Sequence, residues 1–287
     1  LPSWWQTWWF RALALLTVAV LLLLVDRRRA QVVRRRTALL EQLVATRTQD
    51  LEAANQALKD LSLTDTLTRL HNRRYLLEVM PEYVAMAERG SSVNALLQST
   101  RLTPCSDLTL IMVDIDKFKS INDTHGHAAG DAVLQQVAQI LRECTRESDT
   151  VVRWGGEEFA VIARQVCRAE LTHLPERIRA RFAAHEFDLG NGQTLKRSCS
   201  LGFAPYPFFA AAPQHIGWEQ VLGLADQCLY AAKRGGRNAW VGLLPSEGAA
   251  PESVSDRLAG DLDGLVSEGL LEVHTSLPQG STLSWQV

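Results

Sequence analysis

Two short runs hold the residues with the clearest capacity for chemistry. Val113-Asp114-Ile115-Asp116 closes an apolar stretch, and Arg153-Trp154-Gly155-Gly156-Glu157-Glu158-Phe159 lies downstream. Carboxylates that follow an apolar strand are exposed at its carboxyl end, where ligands of α/β sheets usually bind. Only one of Asp114 and Asp116 need face such a site. Hard oxygen donors there suit Mg²⁺ carrying a nucleoside triphosphate, and an ordinary acidic turn is the plain alternative. In the second run, two glycines make a tight turn and let a ligand approach the backbone. Glu157 and Glu158 cannot both be buried without a counter-charge, and a metal ion is the natural one. A hairpin with solvated acids is the competing reading, and the aspartates upstream count against it.

The elements that must position these residues follow from the apolar pattern. Leu108–Val113 (LTLIMV) reads as a buried strand that delivers Asp114. Val151–Arg153 and Phe159–Ala163 read as two strands about the Gly-Gly turn, and Ser198–Ala204 and Asn238–Leu243 as further strands. Asp131–Arg142, Pro175–His185 and Glu219–Arg234 carry helical patterns. This alternation predicts an α/β (α+β) domain over residues 64–244. Residues 88–107 read as a loop insertion, and there is no internal repeat. Residues 245–287 hold seven acidic residues and one basic residue, Arg257, and are expected to form a weakly ordered acidic tail.

Upstream, Ala12–Val25 is fourteen uncharged residues, and extension to Trp8 gives eighteen, interrupted by Arg11. That reaches the lower limit for crossing a bilayer, about 17–25 residues. Trp4, Trp5, Trp8 and Trp9 flank one end, and Arg27, Arg28, Arg29, Arg34, Arg35 and Arg36 the other. The positive-inside rule puts the arginine end, and everything after it, in the cytoplasm. A signal peptide would carry its basic residues before the apolar run instead. Residues 1–26 are therefore expected to be a periplasmic edge and a transmembrane helix. Residues 27–63 read as a basic juxtamembrane segment and signalling helix. Residues 37–63 lack Gly and Pro and fit heptads, with Val44, Leu51 and Leu58 at a and Leu40, Ala54 and Leu61 at d; Thr37 and Arg47 are the exceptions. A short parallel coiled coil would make the protein a homodimer; an amphipathic helix packed on its own domain is the alternative.

The whole chain, 287 residues with a net charge of −2, 46% hydrophobic and 22% charged, has ordinary globular composition. Collagen-like, mucin-like and wholly disordered classes are excluded, and no nucleic-acid partner is expected at this charge. Five scattered cysteines, never in C-x-x-C, do not read as a disulfide framework or a zinc site and suit a reducing compartment. The chain begins with Leu1, not Met, and is expected to be a piece of a longer protein.

The motifs together resemble the GGDEF family of diguanylate cyclases, in the spelling GGEEF. The resemblance runs from about Asp65 to Leu244. It opens with Asp65-x-Leu67-Thr68-x-Leu70-x-Asn72-Arg73-Arg74 and continues through Asp114-Ile115-Asp116-x-Phe118-Lys119-x-x-Asn122-Asp123, Gly126-His127 and Gly130-Asp131. It closes with Gly155-Gly156-Glu157-Glu158-Phe159, Ala232-Lys233 and Gly236-Arg237-Asn238. The resemblance implies a five-stranded sheet with helices on both faces, similar to nucleotidyl-cyclase and polymerase palm domains. It implies the joining of two GTP into cyclic di-GMP with loss of two pyrophosphates, one GTP per domain. Asp114, the carbonyl of Ile115 and Glu157 would bind two Mg²⁺ (or Mn²⁺) ions per site. Glu157 would also activate the 3′-hydroxyl, with Glu158 assisting. Asn122 and Asp131 would bind guanine, His127 would lie beside the nucleotide, and Lys119, Lys233 and Arg237 would hold the triphosphate. The Gly155-Gly156 turn would leave room for the α-phosphate and ribose.

Arg146-x-x-Asp149 precedes Gly155 at the spacing of the family's inhibitory product site, which implies capture of cyclic di-GMP; a solvated ion pair is the alternative. Lys117 and Trp154 depart from residues frequent in the family, at positions that do not carry the chemistry. The WWQTWWF run resembles the junction after a periplasmic β-propeller sensor module. The expectation is a single-pass protein of a bacterial inner membrane with a cytoplasmic, product-inhibited cyclase. The competing readings are a catalytically silent cyclic di-GMP receptor or scaffold, and a cyclase of other base specificity, against which Asn122 and Asp131 count.

Overall fold

The computed structural model describes residues 63–96, 105, 107–190, 192–258, 260–278, 280–281 and 283–285, with isolated positions between 27 and 54. The chain divides into two compact units, Leu1–Ser62 and Leu63–Val287. In the first, the described positions are helical and exposed. Leu40, Val44 and Leu51 of the expected seam are 57%, 63% and 71% exposed. Among the described residues no helix is long and apolar enough to cross a membrane; the Ala12–Val25 run, Thr37, Leu58 and Leu61 lie outside them.

The second unit runs β1 (His71–Asn72), α1 (Arg73–Leu96), β2 (Asp107–Ile115), α2 (Phe118–His125), α3 (His127–Cys144), β3 (Thr150–Gly155) and β4 (Glu158–Val166). It continues with α4 (His173–Ala184), β5 (Glu186–Asp188), β6 (Thr194–Lys196), β7 (Cys199–Tyr206), α5 (Trp218–Arg234) and β8 (Trp240–Pro245). It ends with α6 (Pro251–Ser255), α7 (Leu262–Ser267) and β9 (Leu271–Thr275). The main sheet has the order β1-β3-β4-β2-β7-β8-β9, and β5-β6 form a separate hairpin. Strand β2 lies in the middle, antiparallel to both β4 and β7.

Every residue of β2 is buried, because helices cover both faces of the sheet. Its period of two sorts the side chains. Ile111, Val113 and Ile115 pack with residues of α2, α3 and α4. Leu108, Leu110 and Met112 pack with residues of α1 and α5. Each fully buried Leu, Ile, Val or Met is worth about 1.5–3 kcal/mol, so β2 is a firm mount for the carboxylate at its end.

Four expectations need correction. The sheet has seven strands, not five. The five expected strands β3-β4-β2-β7-β8 form its centre, and β1 and β9 extend its two edges. The supposed insertion 88–107 begins as helix, since α1 runs to Leu96; residues 97–104 and 106 are outside the described set. The acidic tail is built into the domain. Val254, Leu258, Leu262, Leu265, Leu271 and Trp285 are buried in the core that α1 and α5 share, and Arg257 gathers Asp261 and Glu268 as ion pairs. Its acidity hid a sparse leucine pattern that pays the ordering entropy. Lastly, Cys105 and Cys167 are joined in a disulfide 62 residues apart, which no local cysteine spacing announces; Cys144, Cys199 and Cys228 are free and buried.

Candidate active site

Asp114 stands one residue from the end of β2, opposite Glu158 of β4 and Ser200 of β7. Only 4% of it is exposed. Glu157 occupies the two-residue turn between β3 and β4. From the last turn of α5, Lys233 reaches across so that its Nζ lies 2.8 Å from Asp114 Oδ2. Burial pushes the Asp114 carboxyl above its ordinary range, Lys233 opposes that, and the charges of Asp116 and Asp226 add to it. Burial and then the Asp114 charge likewise raise Glu157 and Glu158, and Lys233 again opposes. Asp226, raised by burial, adds to the repulsion on Asp114 and Glu158. It lies seven residues before Lys233 on α5, two helical turns and therefore the same face. The sequence reading missed it, although that spacing was the signal.

Four carboxylates thus share Lys233, and their mutual repulsion is left partly unanswered. Among the described residues no three His, Cys, Asp or Glu side chains come close enough to hold a metal as they stand. The donor set nevertheless has the chemistry of a hard divalent cation site: carboxylates of Asp114, Glu157 and Glu158 and the backbone carbonyl of Ile115, with excess negative charge to neutralise.

Asp116 serves a different end from Asp114. Strand β2 stops at Ile115, and the Asp116 carboxylate turns into the fold, 4% exposed. It accepts from Ser198 Oγ (2.6 Å), Ser200 Oγ (2.7 Å) and the amide of Asn238 (3.0 Å). Both oxygens are used, so this carboxylate ties β7 and the α5–β8 loop to β2. The Gly155-Gly156 turn has its own clamp. Arg153 donates from Nε and Nη2 to the Gly156 carbonyl (3.0 and 2.8 Å) and from Nη1 to Asp65 (3.2 Å). Asp65 also accepts from the Thr68 amide and hydroxyl. Burial pushes the Asp65 carboxyl up, but these hydrogen bonds and the Arg153 charge outweigh it and hold it low. The opening signature therefore acts on the hairpin through Arg153, whose role the sequence reading did not identify.

Asn122 on α2 lies against Gly130 on α3, the residue before Asp131. A Cβ at Gly130 would overlap Asn122 Oδ1, so only glycine lets this asparagine lie against the start of α3. His127, the first residue of α3, and Lys119 of α2 are exposed near them in sequence. Arg237 lines a cavity of about 290 Å³ with Lys117, Lys196, Arg197 and Asp116. Lys196 and Arg197 were not foreseen, since they come from the end of β6 and the residue after it, and no motif spans that distance.

Arg146 and Asp149 lie apart from these groups, in the turn between α3 and β3. Asp149 accepts from the Arg146 amide (2.9 Å) and the Arg164 amide (3.1 Å), which fixes the turn. The exposed Arg146 borders a cavity of about 280 Å³ with Arg69, His71 and Arg142. Glu147 and Asp149 also line it, so three arginines face two carboxylates, and the small basic excess suits a phosphate-bearing ligand.

Residues 62–239 match the family described as diguanylate cyclase, GGDEF domain. The chain is 36% identical over 174 residues to diguanylate cyclase DosC of Escherichia coli, covering 61% of this chain and 34% of that protein. It is 38% identical over 204 residues to diguanylate cyclase DgcP of Pseudomonas aeruginosa, covering 70% of this chain and 27% of that one. It therefore spans about a third or less of these curated relatives. A crystal structure of the coiled coil and GGDEF domain of DgcB from Caulobacter crescentus in complex with c-di-GMP is similar in fold. It has a TM-score of 0.52 and 28% identity, over 69% of this chain and 96% of that one.

Proposed function

The chain belongs to the GGDEF-domain family of diguanylate cyclases, and on that premise we propose that it condenses two GTP into cyclic di-GMP. In each of two equivalent steps, the 3′-oxygen of one GTP bonds to the α-phosphorus of the other. The bond from that phosphorus to the bridging oxygen breaks, and pyrophosphate leaves. The observation that carries this reading is the cluster of Asp114, Glu157, Glu158 and Asp226 around Lys233, on the edge of a hairpin clamped by Arg153.

The residues divide the work. Asp131 accepts from the guanine N1–H and N2 amino group, with Asn122 beside it, and adenine lacks that donor pair. His127 flanks the nucleotide. Lys119, Lys233 and Arg237 hold the triphosphate as fixed cations. Two Mg²⁺ or Mn²⁺ ions held by Asp114, the Ile115 carbonyl and Glu157 would supply charge neutralisation at the leaving pyrophosphate and a lowered 3′-hydroxyl pKa. Glu157, in the turn beside Asp114, takes the hydroxyl proton as the general base. Glu158 assists from the first position of β4.

Each domain holds one GTP, so two must meet. The exposed Leu40, Val44 and Leu51 support a dimer through the signalling helix. The basic hollow at Arg146 supports a product-inhibition site. The apolar run before Arg27 supports anchoring in a cytoplasmic membrane, with this domain as the output of an upstream sensor. The test is direct: the full chain, freed of bound nucleotide, is given GTP and Mg²⁺, and products are identified by mass. Cyclic di-GMP that accumulates and then stalls is expected. A dimeric protein that makes none, but binds added cyclic di-GMP tightly, would instead be a receptor.

A further inference from the structure

The fold continues past the family match, which ends at residue 239, and the segment just after β9 packs on the loop that carries Lys233 and Arg237. Strand β9 pairs along β8 from Leu271 opposite Pro245 to Thr275 opposite Val241. Immediately after it, Ser276 and Trp240 exchange two hydrogen bonds. The Ser276 amide donates to the Trp240 carbonyl (3.1 Å), and the Trp240 amide donates to Ser276 Oγ (2.9 Å). The Thr275 hydroxyl donates to the same carbonyl (3.1 Å). The next residue, Leu277, is 9% exposed and packs on Gly235, where a Cβ would overlap its methyl groups.

Between these two contacts lies the segment Gly236-Arg237-Asn238, with φ of 131°, 66° and 46°. Two successive non-glycine residues in the left-handed region cost about 1–2 kcal/mol each. Such a backbone persists only where its surroundings over-determine it. The Arg237 amide donates to the Ala232 carbonyl (3.0 Å), and three further fastenings act with it. Asp116 accepts from the Asn238 amide (3.0 Å), and Arg179 Nη1 donates to Asn238 Oδ1 (3.2 Å). Both lie inside the family-matched region. The third is the segment Thr275–Leu277, which lies outside it and grips both ends of the loop, at Gly235 and at Trp240.

We propose that Thr275–Leu277 is a positioning strut for the loop from Lys233 to Asn238, so that the C-terminal continuation of this chain sets its affinity for GTP. This rests on the reading of Lys233 and Arg237 as triphosphate-binding cations. Ser276 and Leu277 touch no substrate; they fix the loop whose cations do.

Steady-state kinetics and thermal unfolding of the full chain test it, with the parent, Ser276→Ala, Ser276→Thr and Leu277→Ala. Ser276→Ala leaves the Trp240 amide without its acceptor. It is expected to raise KM for GTP about fivefold, the value of one net hydrogen bond, with kcat within twofold of the parent. Ser276→Thr keeps the acceptor and restores the parental KM. Leu277→Ala raises KM as well, with a lower Tm. A folded Ser276→Ala protein at parental KM overturns the proposal, as does a threonine variant that behaves like the alanine one. GTP affinity measured by calorimetry on the same proteins decides the strut independently of turnover. A parent that binds GTP but makes no cyclic di-GMP defeats the functional reading alone.

Discussion

Replacing Asp116 separates the two carboxylates of the Asp-x-Asp run. Asp116 is 4% exposed and serves three donors, Ser198 Oγ, Ser200 Oγ and the Asn238 amide. Asparagine keeps the volume but offers one accepting oxygen and no charge. Hydrogen bonds to a charged acceptor are worth about 1.5–3 kcal/mol and neutral ones about 0.5–1.5. The hydroxyls can reorient and the amide cannot, so Asp116→Asn is expected to cost about 2 kcal/mol. For a domain of this size that is about 4–8 °C in Tm. Asp116→Ala strands all three donors and should cost about twice as much. Thermal unfolding followed by circular dichroism reads both. Asp114→Asn should do the opposite: burial disfavours the Asp114 charge, so Tm holds while turnover collapses. Two results would refute this reasoning: Asp116 variants within about 1 °C of the parent, or Asp116→Asn that abolishes turnover at unchanged Tm.

Acidification should stabilise the metal-free protein through its active site. Asp114, Glu157, Glu158 and Asp226 all sit above their ordinary values of 3.8 or 4.5. A raised carboxyl contributes stability that is full below its ordinary value and lost as pH rises through the raised one. As pH falls from neutral toward these ordinary values, the parent should therefore gain Tm relative to an Asp114→Asn/Glu157→Gln double variant, and saturating Mg²⁺ over the same range should weaken that pH dependence. Calorimetry that finds parent and double variant parallel across this window would contradict the carboxylate cluster. Arg146→Ala removes the exposed cation beside the basic hollow, so turnover should persist while product inhibition weakens by about tenfold or more, the worth of a charged hydrogen bond. Progress curves with added cyclic di-GMP measure this, and unchanged inhibition would dismiss the site.

Much of the site was legible because chemistry and local geometry coincide in its motifs. An apolar run ending in Asp114 had to be a strand end, and a Gly-Gly turn before Glu157 and Glu158 had to be a hairpin. Their meeting follows from β2 and β4 being neighbours. The supporting residues were less legible because they act across long separations. Strand alternation separates Asp116 from Asp114, but its partners Ser198, Ser200 and Asn238 lie 82, 84 and 122 residues away in sequence. Arg153 joins Asp65 to the hairpin across 88 residues, and Lys196 and Arg197 approach Arg237 only through the fold. The region after Leu244 was misread because acidic composition outweighed a thin apolar pattern. Val254, Leu258, Leu262 and Leu265 find their burial in the core that α1 and α5 share, which no local window contains.

The central claim is that Glu157 and Asp114 perform turnover rather than hold the fold. The most direct measurement compares initial rates of cyclic di-GMP formation for the parent, Glu157→Gln and Asp114→Asn at saturating GTP and Mg²⁺, with Tm taken on the same preparations. Loss of the general base at Glu157 removes about 10²–10⁴ in rate, and Asp114→Asn takes a carboxylate from the proposed metal site, so both variants should fall about 100-fold or more in kcat while remaining folded. Folded variants that keep kcat within tenfold of the parent would contradict the account.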